Sequence, residues 1–110
     1  MSLFDSLRGR RGASEVRRSR DRASAHLATW TVAHRGVEAY VEPKTSVTET
    51  TIILVASDGE WTRRRVSDPA EGFALGRRLG IPVYDVALVG YPQRMRDYTA
   101  RRNRELKGNP

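Results

Sequence analysis

The densest group of chemically capable side chains in this sequence is Trp61-Thr62-Arg63-Arg64-Arg65. In an extended segment the period of two puts Trp61, Arg63 and Arg65 on one side. An indole beside two guanidiniums suits a surface that stacks bases and grips phosphates of single-stranded nucleic acid. The same trio also suits an internal cation–π stack, with the arginines lying along a covered face and neutralised across strands by Glu38, Glu42 or Glu49. Both readings stand on sequence grounds. A second group, Tyr91-Pro92-Gln93-Arg94-Met95-Arg96-Asp97-Tyr98, opens a segment in which Arg94, Arg101 and Arg104 share one side of a helix. A basic helix of this kind lies along phosphates or against an acidic protein, or is simply solvated.

Other chemistries lack their parts. There is no cysteine, which removes disulfides, thiolate nucleophiles, zinc–thiolate sites and iron–sulfur clusters. His26 and His34 fall eight residues apart on one expected helix, about 12 Å along its axis, too far to share a metal. No Gly-x-Ser-x-Gly elbow is present, and Gly72, Gly76 and Gly80 recur at intervals of four rather than as a phosphate-cradling turn. Asp85 and Asp97 neighbour Tyr84 and Tyr98, and ion pairs with Arg94, Arg96 or Arg101 are expected of them before acid–base work. No catalytic residue, metal or cofactor is expected.

The charge is unevenly placed. Residues 1–24 hold seven arginines against three acids and net +4; residues 92–110 also net +4, while residues 25–91 net −1. Basic ends around a near-neutral middle seek polyanions: nucleic acid, an anionic membrane surface or an acidic protein. Eighteen of the 20 basic residues are arginine, a bias that a GC-rich genome also produces. The longest apolar run, Ile52–Ala56, is strand length, so no membrane span is expected. The opening residues are broken by Arg8, Arg10 and Arg11 before any signal-peptide core forms. A cytoplasmic location is therefore expected. Nothing in the sequence fixes an oligomeric state.

The elements that position these residues follow from periodicity and turn chemistry. Residues 1–13 read as a flexible basic leader, in which Leu3, Phe4 and Leu7 form at most one amphipathic turn. Val16, Ala23, Leu27, Trp30 and His34 trace one face of a helix from about Ser14 to Arg35, with Arg17 and Arg18 off that face. Val37, Ala39 and Val41 alternate with Glu38, Tyr40 and Glu42 as a half-buried strand. Thr48–Ala56 is a central strand, and Asp58-Gly59 predicts a type I′ hairpin into Trp61–Val66. Asp68, Pro69 and Glu71 predict a helix N-terminus with a capping box, and Gly80-Ile81-Pro82 a Schellman stop. Val83–Val89 predicts a fourth strand, and Pro92–Leu106 a last helix with Met95, Tyr98, Arg102 and Leu106 inward. Residues 107–110 are expected to fray. The expectation is one α+β domain over residues 14–106, in the order α-β-β-β-α-β-α. Its three- to four-stranded sheet is mainly antiparallel, and its helices pack on one face.

Four stretches together resemble a family of small actinobacterial proteins of uncharacterised function. They are Gly36–Thr45, Asp58–Val66, Gly80–Val86 and Gly90–Tyr98. The resemblance spans roughly residues 25–100 and implies an actinobacterial, cytoplasmic origin. Some members carry the label oxidoreductase; an enzyme of that kind would gather Tyr84, Asp85, Tyr91 and Tyr98 around a cofactor. The run helix, three strands, helix is also similar to that of double-stranded RNA-binding domains. Their second helix opens on a lysine cluster, where this chain has Asp68-Pro69-Ala70-Glu71. The functional expectation is a small basic binding or accessory protein engaging nucleic acid or ribonucleoprotein. Arg17, Arg18, Trp61, Arg63, Arg65, Arg94, Arg101 and Arg104 are the candidate contacts. The alternatives are an adaptor for an acidic protein partner and the labelled oxidoreductase.

Overall fold

The computed structural model describes residues 3–108, with side chains from Ser14 onward. The elements run α1 (Leu3–Ala33), β1 (Glu38–Glu42), β2 (Thr51–Val55), β3 (Trp61–Arg65), α2 (Pro69–Arg78), β4 (Val83–Asp85), α3 (Val86–Val89) and α4 (Gln93–Gly108). One sheet in the order β3-β2-β1-β4 joins the strands. β1–β2 and β2–β3 are antiparallel, and β1–β4 is parallel, so the sheet is mixed. The α+β class agrees with the expectation, and the element order agrees apart from α3, an additional short helix between β4 and α4. Among the described residues no helix is long and apolar enough to cross a membrane.

The register separates two faces. Ala39, Val41, Ile52, Leu54 and Val83 share one, which α1 and α2 cover through Leu27 and Leu75. Tyr40, Ile53, Val55 and Trp61 share the other, which Val86 of α3 and Met95 of α4 cover. Helices on one face only was therefore the wrong expectation. The alternation in β1 misled because Tyr40 is an apolar body with a polar tip and is buried here, so both parities of the strand point into cores.

Local chemistry sets the boundaries. Asp68 Oδ1 accepts the Glu71 amide at 2.8 Å, and Pro69 opens α2. The reciprocal half of the capping box is absent, because the Glu71 carboxylate turns to Arg78 at 3.2 Å. At the other end the Gly80 amide bonds Arg77 O and the Ile81 amide bonds Gly76 O, a complete Schellman motif. The fourth strand stops at Asp85, four residues short of expectation. The Asp85 carboxylate caps the Ala87 amide at 2.8 Å and starts the short helix α3. The hairpin is not type I′. Among the described residues only glycines have positive φ, so Asp58 stays on the ordinary side and Gly59 (φ 93°) alone is left-handed. The Gly59 amide bonds Ala56 O and the Ala56 amide bonds Glu60 O, giving a three-residue loop with a bulge.

Both long helices outrun the sheet. A five-residue strand covers roughly 17 Å, whereas the 31 residues of α1 extend about 46 Å. Leu27 is fully buried, yet Val16 on the same stripe is 59% exposed. α4 behaves likewise: Met95 packs, while Leu106 is 73% exposed and Arg102 lies in solvent, against their expected inward placement. Helical backbone begins at Leu3 rather than near Ser14, so the expected leader continues α1. The amphipathic turn of Leu3, Phe4 and Leu7 lies outside the described side chains. α4 runs to Gly108, and Asn109 and Pro110 lie outside the described residues.

Two close approaches generate a stability test. A Cβ at Gly59 would fall 2.0 Å from Arg94 O, and one at Gly76 would fall 2.8 Å from Val83 Cβ, whereas Gly80 (φ 71°) faces open space. Gly76→Ala adds helix propensity worth about 1 kcal/mol, but overpacking costs about 1–3 kcal/mol and is expected to win. Gly59→Ala meets rigid backbone as well as strain and is expected to cost several times more than Gly80→Ala, which carries strain alone. Urea unfolding of the three variants checks this order.

Candidate functional site

The arginines divide by the half of the element they sit on. Two that reach over the sheet, Arg63 and Arg94, are paired within the chain. Arg63 leaves β3, crosses β2 and grips Glu42 on β1 with two donors, Nε at 2.6 Å and Nη2 at 3.0 Å. Its guanidinium carbon also lies 5.1 Å from the Trp61 ring centroid. Trp61 is half-buried against the Tyr40–Ile53–Val55 cluster, and its Nε1 donates to Thr99 Oγ1 at 3.3 Å. Trp61 and Arg63 thus form a cation–π pair at the surface of this face, held by side chains of the same chain. Arg94 is held harder still. It donates to Ala56 O at 2.9 Å, to Glu38 at 2.5 Å and to Val55 O at 3.4 Å, pinning α4 to the sheet end. Of the expected anion contacts, Trp61, Arg63 and Arg94 therefore each have a partner within the chain.

Glu42 is the hub of this face. It accepts from Arg63, from Thr51 Oγ1 at 2.7 Å and from the Tyr91 hydroxyl. Burial works to raise its pKa, but the hydrogen bonds from Arg63, Tyr91 and Thr51 and the Arg63 charge outweigh it and hold the carboxyl below its ordinary value. Tyr91 moves the other way, raised by burial and then by its bond to Glu42. Arg63 is raised chiefly by Glu42. The sequence showed Glu42 only as one of three cross-strand partners, and the Tyr91 contact, 49 positions away, carried no local signal.

Elsewhere the arginines are free or nearly so. Arg17 and Arg18 stand exposed on the outer half of α1, with Arg17 reaching only Ser14 Oγ at 3.5 Å. Arg20 and Arg22 extend the same surface. Arg65 is exposed at the end of β3, beside Glu49 on the rim of a groove between α1 and α2. Arg101 bonds the Asp58 carbonyl at 3.1 Å and lies 5.9 Å from the Tyr98 ring centroid. Arg104 is exposed. Among the described residues the arginine–carboxylate pairs are Arg63–Glu42, Arg78–Glu71 and Arg94–Glu38, so none involves α1 or the part of α4 beyond Tyr98. Val16 and Ala23 line one groove with Arg65 at one end of β3, and Arg101 bonds Asp58 O beyond the other, so the outer halves of the two basic helices lie toward opposite ends of that strand.

The remaining candidates do not converge. Tyr84 sits 5.5 Å from Tyr40, Asp85 caps α3, Tyr91 binds Glu42, and Tyr98 faces Gly59 and Arg101. The clefts that include them hold Tyr91 with Met95, Tyr91 with Glu42, and Tyr84 with Tyr40. Asp97 accepts from Gln93 at 3.0 Å, and neither it nor Asp85 makes the ion pair expected. His26 Nε2 meets Thr62 Oγ1 at 3.1 Å. His34 bridges Trp30 O and Glu60 at 2.7 and 3.0 Å while stacked on the Trp30 ring. No group of three metal-ligating side chains occurs among the described residues.

No family model, curated protein or solved structure matches this chain.

Glu42 supplies a pH test. A carboxyl with a depressed folded pKa adds stability that is full above the unfolded value, about 4.3, and is lost as pH falls through the folded one. The protein is expected to lose stability below about pH 4, and Glu42→Gln is expected to flatten that part of the curve. Tyr91→Phe should cost about 1 kcal/mol at neutral pH. Urea midpoints between pH 3 and 7 for the three proteins check both.

Proposed function

We propose that the protein is a basic binding protein that engages nucleic acid, alone or within a ribonucleoprotein, through the outer halves of α1 and α4. One observation carries the reading: the guanidiniums of Arg17, Arg18, Arg20, Arg22, Arg102 and Arg104 are exposed, and among the described residues none lies within 4.0 Å of a carboxylate oxygen. Arg63 and Arg94, by contrast, are paired with Glu42 and Glu38, so a carboxylate partner is available to arginines of this chain where they serve its packing. Helical arms with unneutralised guanidiniums interact with phosphates without reading bases, because phosphate contacts carry affinity and position rather than sequence. The occupied Trp61 ring offers no stacking platform, which favours backbone contact over base contact as the mode of binding.

Binding of a fluorescent 20-base-pair duplex, followed by anisotropy between 50 and 200 mM salt, tests this. The expected plot of log affinity against log salt is linear and falling, with each phosphate contact contributing about −0.9 to the slope. Arg17→Gln, Arg18→Gln and Arg104→Gln together should flatten the slope by up to about 2.7. Stability should stay within about 0.5 kcal/mol of the parent, since these side chains hold nothing. Absence of binding by the intact protein at 50 mM salt defeats the proposal.

A further inference from the structure

The open edge of β3 has a feature independent of the arms. The Ala56 amide bonds Glu60 O, and the Val66 amide bonds Thr50 O at 3.0 Å. With the register Leu54↔Thr62 and Ile52↔Arg64, the backbone groups of Thr62 and Arg64 face β2. The N–H and C=O of Trp61, Arg63 and Arg65 therefore face outward, along a strand that ends the sheet order. Among the described residues these outward groups receive one bond: Arg64 Nη1 donates to Arg63 O at 2.7 Å. Arg64 thus sits as a removable cap on the middle of an otherwise complete docking edge.

We propose that this edge accepts an extended acidic segment of a partner protein as a fifth strand. Charge selects the occupant. Arg64 projects on the α1 side, close enough to His26 to help lower its pKa after burial has done so. Arg65 projects on the opposite side, and neither guanidinium has a carboxylate within 4.0 Å among the described residues. A second copy of β3 is a poor occupant, because an antiparallel pairing centred on Arg63 sets that residue against itself, and shifted registers still bring the two Arg63–Arg65 runs together. An antiparallel guest with adjacent acids opposite Arg65 and Arg64 gains two pairs and draws Arg64 off the Arg63 carbonyl. Arg63 is already neutralised by Glu42, so the guest residue opposite it need not be charged. Thr62 pairs well with threonine and Trp61 with a β-branched residue, which gives the guest the order acid, acid, apolar, Thr, apolar. Main-chain bonds would supply affinity and the paired acids specificity.

The test uses the full chain and a synthetic peptide centred on Glu-Glu-Val-Thr-Val, with Lys-Lys replacing Glu-Glu in the control, read by amide hydrogen exchange and NMR. The acidic peptide is expected to slow exchange at Trp61, Arg63 and Arg65 by about tenfold or more and to leave the already paired Thr62 and Arg64 unchanged. Arg64→Ser with Arg65→Ser should weaken binding roughly tenfold, while Arg17→Gln, Arg18→Gln and Arg104→Gln should leave it within about twofold. The last comparison separates failure here from failure of duplex binding by the arms. The proposal is overturned if the lysine peptide binds equally, if protection appears elsewhere, or if about 1 mM acidic peptide slows none of the three amides. Slowing of those amides with rising protein concentration alone would assign the edge to a second copy and also overturn it.

Discussion

Two carboxylates on one short strand hold the second face of the sheet closed. Glu38 and Glu42 lie on the same side of β1 and bracket Tyr40. Glu38 takes Arg94 at the start of α4, and Glu42 takes Arg63 from two strands away and Tyr91 from the turn before α4. The apolar cluster between them is small: Tyr40, Ile53 and Val55, with Trp61, Val86 and Met95 packed on it. So few side chains bury too little area to position a helix uniquely, and apolar contact has no direction of its own. The hydrogen bonds to Glu38 and Glu42 supply that direction. Removing either acid would leave a guanidinium partly buried and unpaired, the costly way to break such a contact.

The basic side chains consequently serve two ends. Arg63 and Arg94 are architectural, because a chain with few large apolar residues uses the long stems of arginine as covering and their tips as fasteners. Those past the sheet have nothing to cover and stand in water on rigid helices. The difference lies in position relative to a sheet of five-residue strands rather than in residue type. The same length limit produces both outer half-helices, and with them the exposed basic surfaces on which the proposed function rests.

Much of the fold was legible in the chain. α2 declared both ends through Asp68-Pro69 and Gly80-Ile81, since caps are local and depend on a few adjacent residues. The central strand was marked by its β-branched run. What stayed hidden was non-local. Glu38, Tyr40 and Glu42 look like a solvent face because nothing nearby announces that α4 will return over them. Val83–Val89 reads as one strand because an Asp inside an apolar run signals a helix start only once its carboxylate is seen to turn back on the chain. Of the candidate contacts, Arg17, Arg18 and Arg104 are exposed. Trp61, Arg63 and Arg94 are engaged by partners within the chain, which composition does not record.

The parallel pairing of β1 with β4 joins Ala39 to Val83 and Tyr40 to Tyr84, across the whole hairpin and α2. Contacts this distant along the chain are slow to form, because the loop between them must close before they are rewarded. During synthesis β1, β2, β3 and α2 leave the ribosome before α4 exists. For that interval one side of a three-stranded sheet, with Tyr40, Ile53, Val55 and Trp61 on it, has no cover of its own chain. Two carboxylates and an arginine around that patch keep the nascent surface charged while it waits, and so discourage association with neighbouring chains until the last helix emerges to close it.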